Sequence, residues 1–273
     1  MAVIAVYNIK GGVGKTATSV NLAYLSACSG KKTLLCDMDP QGSASYYFRI
    51  KPAKKFTADT LLNGGKAILK NIRGTDYPEL DLLPADFTYR NLDLALDDFK
   101  KSTRRISKIL KPLTREYDHI FLDCPPNITL LSENIFMAAD ILLIPFIPTT
   151  LSLLSFQKLL DFFKRTGIDR KKLYVFFSMV EKRKKMHLDM MAKFAGRKRV
   201  LRQPIPYLAD VEKMGIFRKP VLEITPNSPA SRSYRIMWRE VEDILVKEYL
   251  VTLNPQPDAR DTIAEFQRAL RTP

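Results

Sequence analysis

Between an apolar run, Val3–Tyr7, and an amphipathic stretch, Lys15–Ser29, the chain reads Lys10-Gly11-Gly12-Val13-Gly14-Lys15-Thr16. No other segment constrains the fold so tightly. Its glycines let the backbone turn sharply and aim successive N–H groups at one point. A strand entering the turn and a helix leaving it bring the positive end of the helix to that same point, which suits a phosphate. Val20, Ala23, Tyr24 and Ala27 recur near a 3.6-residue period, as a helix with one buried face requires. In such a loop Lys15 reaches the β- and γ-phosphates of a nucleotide, and the Thr16 hydroxyl is placed for Mg²⁺. Ile9 stands where the plain GxxxxGK[ST] pattern has its first glycine, and Lys10 is a lysine that pattern does not call for.

The rest of the chain alternates in the same way. Thr33–Cys36, Leu80–Leu83, Ile120–Leu122, Ile141–Phe146 and Leu173–Phe177 are short apolar runs, and Val200–Leu208 is extended with two prolines. Helical patterns cover Asn91–Leu113, Ser152–Arg165, Leu188–Phe194 and Ser231–Tyr249, the last packing Ile236, Val241, Ile244 and Leu245. Continuous apolar strands separated by helices predict an α/β fold: a doubly wound, mostly parallel sheet with helices on both faces. No repeat or Gly/Ser-rich linker divides the sequence, so residues 1–250 are read as one domain. Residues 251–273 form a tail, with a short helix expected over Thr262–Leu270.

Two of the strands run into carboxylates. Asp37-Met38-Asp39-Pro40-Gln41-Gly42 follows the second strand, and Ile120-Phe121-Leu122-Asp123 ends in one. The carboxyl ends of parallel strands face the ligand crevice. Asp123 is thus the expected Mg²⁺ carboxylate, acting through water, with Asp37 near the metal. Cys28, Cys36 and Cys124 form no CxxC pair and no zinc-like spacing, which with an odd count predicts reduced thiols. His119 is expected to be structural and His187 to lie on the surface.

KGGVGKT followed by Ser19-Val20-Asn21-Leu22-Ala23 resembles the deviant Walker A loop of the ParA/MinD family of P-loop ATPases, and the resemblance covers about residues 1–250. It implies that ATP or ADP with Mg²⁺ is held by Lys10, Gly11, Gly12, Val13, Gly14, Lys15, Thr16 and Ala17. It also implies that Lys10 reaches a partner subunit's nucleotide in an ATP-bound homodimer. Asp39 resembles the family's switch I aspartate, which orients the attacking water. Cys124-Pro125-Pro126 resembles the switch II loop that senses the γ-phosphate. Pro148 and Thr149 resemble the loop beside the base, and Lys219-Pro220-Val221-Leu222 the loop before the last long helix. Ser178 departs from the pattern, because the family commonly has an asparagine there that reads adenine.

The net charge is +15, and residues 164–202 hold fourteen Lys/Arg against three acids. Such a block attracts a polyanion. Family members bind nonspecific DNA through scattered basic residues of the C-terminal surface. Here Arg197, Lys198, Arg199, Arg202, Arg218, Lys219, Arg232 and Arg235 are the candidates, with Arg239 beyond them. Lys182–Lys185 lies where family members carry an arginine, at the nucleotide or dimer edge. Phosphate contacts of this kind are salt-sensitive and sequence-tolerant. With the loop starting near residue 10, no helix-turn-helix is expected ahead of it. The resemblance thus predicts a cytoplasmic, nucleoid-associated ATPase that segregates or positions cargo, stimulated by a ParB-like partner or a cargo adaptor.

Two other readings share the loop. A membrane-associated regulator would end in a basic amphipathic helix, whereas Ile263, Phe266 and Leu270 give only a small apolar face that carries Glu265. A small-substrate P-loop enzyme would turn over only with that substrate. A cluster-bridging iron protein lacks its cysteines, and a tyrosine kinase its tyrosine-rich tail.

Overall fold

The computed structural model describes residues 1–99 and 102–253. Among them, seven strands form one sheet: β1 (Ala2–Val6), β2 (Thr33–Asp37), β3 (Arg73–Gly74), β4 (Leu80–Leu83), β5 (His119–Asp123), β6 (Ile141–Phe146) and β7 (Leu173–Phe177). The order across the sheet is β3-β4-β2-β5-β1-β6-β7, and every pairing is parallel except β3 with β4. The helices are α1 (Lys15–Cys28), α2 (Ser43–Tyr47), α3 (Ala58–Asn63), α4 (Lys66–Leu69), α5 (Leu92–Asp97), α6 (Arg105–Leu110), α7 (Leu130–Ala138), α8 (Thr150–Thr166), α9 (Lys185–Phe194), α10 (Ala209–Phe217), α11 (Val221–Ile224) and α12 (Pro229–Leu253).

The strands are apolar along their whole length because both sheet faces are covered. Side chains alternate between two cores. Val3, Ala5, Leu34, Cys36, Ile120 and Leu122 join Leu61, Leu92, Ile106, Ile135 and Phe163 on one face. Ile4, Val6, Leu35, Phe121 and Phe176 join Val20, Met214, Tyr234 and Trp238 on the other. Each large side chain so buried contributes about 1.5–3 kcal/mol. His119 ties the second face together: Nδ1 lies 2.8 Å from Ser26 Oγ, and the ring meets Trp238 edge-on at 5.7 Å. Central β1 lies between β5 and β6, so the loop after it opens at the sheet's carboxyl edge. There the register sets Asp123 beside both Val6 and Asp37.

Three expectations are corrected. The single helix over Asn91–Leu113 is broken into α5, a 3₁₀ turn at Ser102–Arg104, α6 and a second 3₁₀ turn at Leu113–Arg115. Asn134 Oδ1 of α7 accepts the N–H groups of Arg105 and Ile106 at 2.8 and 3.2 Å, which starts α6 afresh. Ile236 is exposed, because α12 turns Tyr234, Met237, Trp238 and Val241 to the sheet instead. His187 is only 2% exposed, since its Nδ1 accepts the Glu181 N–H at 3.1 Å. The expected extended stretch runs along β7, where Val175, Leu201 and Ile205 N–H groups close hydrogen bonds between them. The helix expected at Thr262–Leu270 lies outside the described residues.

Candidate functional site

Gly12 and Gly14 have φ of 68° and 88°, and a Cβ on Gly14 would come within 3.1 Å of Ser178 Oγ. Only glycine suits both constraints at position 14. The loop is pinned from three sides. Lys10 N–H donates to Asn8 Oδ1 at 2.9 Å, while Asn8 Nδ2 donates to Pro145 O of β6 at 2.7 Å. Ser178 Oγ donates to Val13 O at 2.9 Å from the end of β7. Lys15 Nζ folds back onto Lys10 O at 2.9 Å. Burial lowers the pKa of Lys15, and Asp123 acts to raise it. A mostly buried ammonium with a carbonyl as its partner is poised to exchange that partner for an anion.

Asp123 is fully buried, and its Oδ1 accepts from Ser19 Oγ at 2.9 Å. Its Oδ2 has no hydrogen-bond partner. Burial is the largest cause of its raised pKa and neighbouring Asp37 adds to it, while the Thr16 and Ser19 hydroxyls and Lys15 pull it down. Asp37 is raised by burial too, although it accepts from Ser45 N at 2.8 Å, Ser45 Oγ at 2.7 Å and Asp39 N at 3.3 Å. Two buried carboxyl groups side by side, one with an open oxygen, form a site that favours an added cation. Among the described residues no three His, Cys, Asp or Glu cluster as a protein metal cage. Mg²⁺ takes one or two protein ligands and completes its shell with water and phosphate, and the open Asp123 Oδ2 offers one such ligand.

Asp39 is half-buried in a turn, its Oδ1 accepting Gln41 N–H at 3.0 Å. Thr149 Oγ1 caps α8 by accepting from Ser152 N at 3.3 Å, and Pro148 is buried next to it. Lys10, Lys15, Thr16, Asp37, Asp39 and Asp123 all lie on loops, strand ends or helix starts at one edge of the sheet. Sequence reasoning missed Asn8, Ser19, Ser45 and the P-loop contact of Ser178. Ser19 was findable, because it lies four residues after Lys15 on the same helix face. Beyond Ser178, Met179 has φ 53° and leads into a cavity of about 750 Å³ walled by Val180, Lys182, Arg183, Pro206 and Tyr207.

The eight basic candidates separate into two groups. Arg199 stacks on Tyr174 at 5.2 Å, pairs with Glu248 at 3.5 Å and donates to Lys171 O. Arg218 donates to Tyr46 O at 2.9 Å, and Arg235 to Pro226 O at 2.6 Å. Arg202, Lys219 and Arg232 are exposed, as is Lys198, while Arg197 is half-buried.

A parallel sheet with a glycine loop after its central strand, a buried lysine behind that loop and a carboxylate on the adjoining strand defines a P-loop nucleotide-binding protein. A family model described as an AAA domain matches residues 1–173. The chain is 32% identical over 249 residues to the chromosome partitioning protein ParA of Myxococcus xanthus, covering 88% of this chain and 87% of that one. It is 30% identical to the sporulation initiation inhibitor protein Soj of Bacillus subtilis, over 88% and 97% of the two chains. Its fold matches a putative plasmid partition protein from Borrelia burgdorferi bound to AMPPNP, with TM-score 0.77, 23% identity and 90% and 99% coverage. The chain belongs to the ParA/MinD family of ATPases. Among the described residues no helix is long and apolar enough to cross a membrane.

Proposed function

We propose that the chain is an ATP-driven switch of the partition type, which closes as a homodimer on ATP, binds DNA without sequence preference in that state, and releases it after slow hydrolysis. The observation that carries this reading is the buried, unpartnered Asp123 Oδ2 in one site with Lys15 and Thr16. A cation arriving with a polyanion satisfies both the open carboxyl oxygen and the buried lysine.

Mg-ATP supplies a transferable phosphoryl group whose developing charge the metal neutralises. The N–H groups of Gly11–Ala17 bind the phosphates, and Lys15 exchanges the Lys10 carbonyl for them. Thr16 and Asp123 would hold the metal, with Ser19 fixing Asp123 and Asp37, itself fixed by Ser45, near the metal. Asp39 orients the attacking water. Lys10 is half-buried and uses only its backbone in the loop, so its ammonium is left for the partner subunit's nucleotide. The base lies between the Pro148–Thr149 loop and the cavity beyond Ser178. Ser178 is occupied by Val13, so base contacts fall to the cavity wall. Arg202, Lys219 and Arg232 meet DNA phosphates. Identity of about 30% to partition proteins over most of the chain supports cargo positioning with a ParB-type activating partner, in the cytoplasm and on the nucleoid.

The test is binding of random-sequence duplex DNA without nucleotide, with ADP and with ATP, at two salt concentrations. Salt-sensitive binding only with ATP is the expected result. Equal binding in all three states contradicts the switch, and no binding in any state moves the reading to a membrane regulator or a small-substrate enzyme.

A further inference from the structure

Two arginines in left-handed backbone conformation meet at one junction. Arg49 follows the end of α2 with φ 59°, and Arg218 caps the end of α10 with φ 53°. Arg49 Nη1 donates to Arg218 O at 2.6 Å, and Arg218 Nε donates to Tyr46 O at 2.9 Å. Each guanidinium thus satisfies a carbonyl at the carboxyl end of the other's helix, where a cation is favoured. The Arg218 guanidinium also stacks 4.3 Å over the Tyr46 ring, and Arg49 is paired on its far side with Asp76. Non-glycine residues adopt this conformation at a cost, and two of them gripping each other mark a junction that its surroundings hold in place.

The ends of this clasp lie on functional segments. α2 begins directly after the Asp39–Gly42 turn, and Ser45 within it fixes Asp37. On the other side, Arg218 is followed by exposed Lys219 and then by Val221, whose N–H donates to Asn21 Oδ1 of α1 at 2.9 Å. Asn21 is fully buried, and its Nδ2 lies 3.2 Å from Met214 Sδ of α10. The short loop Arg218–Pro220 is therefore strapped to both walls of the phosphate site, to α2 by the clasp and to the P-loop helix by Asn21.

We infer that Arg49 and Arg218 are positioning residues that transmit the state of the Asp39–Gly42 turn to the Lys219 loop, and that Arg218 acts through this clasp and not as a DNA contact. The coupling to DNA rests on the switch proposed above, while the clasp itself does not. A rearrangement of α2 on nucleotide binding would pull on Arg218 through Tyr46 O and Arg49 at once. Lysine keeps the charge of arginine but cannot serve this geometry with its single ammonium.

The test uses the full chain and three variants, Arg49→Lys, Arg218→Lys and Arg218→Gln. Hydrogen exchange of residues 43–49 and 214–221 is followed with ADP and with ATP, together with duplex DNA affinity as a function of salt. In the wild type both segments are expected to change exchange together on replacing ADP by ATP. In Arg49→Lys only 43–49 should respond, with basal ATP turnover within twofold of wild type. The ratio of DNA affinity in ATP to that in ADP should fall about tenfold in Arg49→Lys and in both Arg218 variants, with an unchanged salt slope. A phosphate-contacting Arg218 gives the opposite pattern: Arg218→Lys behaves as wild type, and Arg218→Gln lowers the slope by about 0.9. That pattern overturns the inference, as does retained joint exchange in Arg49→Lys. If the wild type binds no DNA in any state, the switch reading fails, and the exchange result alone still decides for or against the clasp.

Discussion

The phosphate edge of the sheet and the basic C-terminal surface both present cations but are built on opposite terms. At the edge, Lys15 and Asp123 are buried and pinned by hydrogen bonds. On the surface, Arg202, Lys219 and Arg232 stand in solvent, and several of their neighbours are drawn into internal contacts. A buried charge with one partner is worth several kcal/mol to whatever completes it, whereas an exposed cation contributes a fraction of that and acts through numbers. Chemistry is thus concentrated in single residues at the edge and spread over many on the surface.

That contrast orders the expected effects of substitution. Lys15→Ala should weaken nucleotide binding about 100-fold or more, because a cation facing phosphate in a low-dielectric site has no substitute. Titration with a fluorescent nucleotide measures it, and unchanged affinity would remove the loop from the account. Asp39→Ala should keep nucleotide binding and lose hydrolysis on the order of 100-fold, read by phosphate release.

Asp123→Asn sharpens the comparison through stability in the absence of nucleotide. The folded pKa of Asp123 is raised by burial, so the native carboxylate is less favourable than the unfolded one. Its destabilising effect is absent below the unfolded pKa of about 4, grows as pH rises and levels off above the folded value. The amide variant should therefore melt with the wild type near pH 4 and above it at pH 8, by about 1–3 kcal/mol. Melting curves across that range check the sign, and a variant less stable at pH 8 would mean that Asp123 has a partner in the free protein. The smallest effects belong to the surface: Arg202→Ala, Lys219→Ala and Arg232→Ala should each weaken DNA binding only a few-fold and lower the salt slope by about 0.9.

The same contrast explains what could be read from the sequence. The loop, Asp37 and Asp123 were legible because apolar strands of fixed length deliver them to one edge, and spacing along the chain becomes position in space. β4, β6 and β7 were read with their observed bounds for the same reason. α7 was missed because its capping box is Thr129 with Ser132, a weaker signal than the usual glutamate or glutamine three residues on. β3 is two exposed residues on the sheet's edge and has no period to detect. The break between α5 and α6 depends on Asn134, which lies 28 residues beyond Ile106 in sequence. His187 and Ile236 were misplaced because their surroundings are set by tertiary packing. The basic surface was legible as a sum of charges, but Arg199, Arg218 and Arg235 show that composition does not reveal which cations are already engaged.

The measurement that tests the central claim most directly is the mass of the full chain in solution by light scattering with Mg-ATP and with Mg-ADP, for the Asp39→Ala protein and for Asp39→Ala combined with Lys10→Ala. A dimer with ATP and a monomer with ADP, and a monomer in both states once Lys10 is removed, is the predicted result. A mass that does not depend on the nucleotide, or an ATP dimer that survives the loss of Lys10, would contradict a switch closed by Lys10 on the partner subunit's nucleotide.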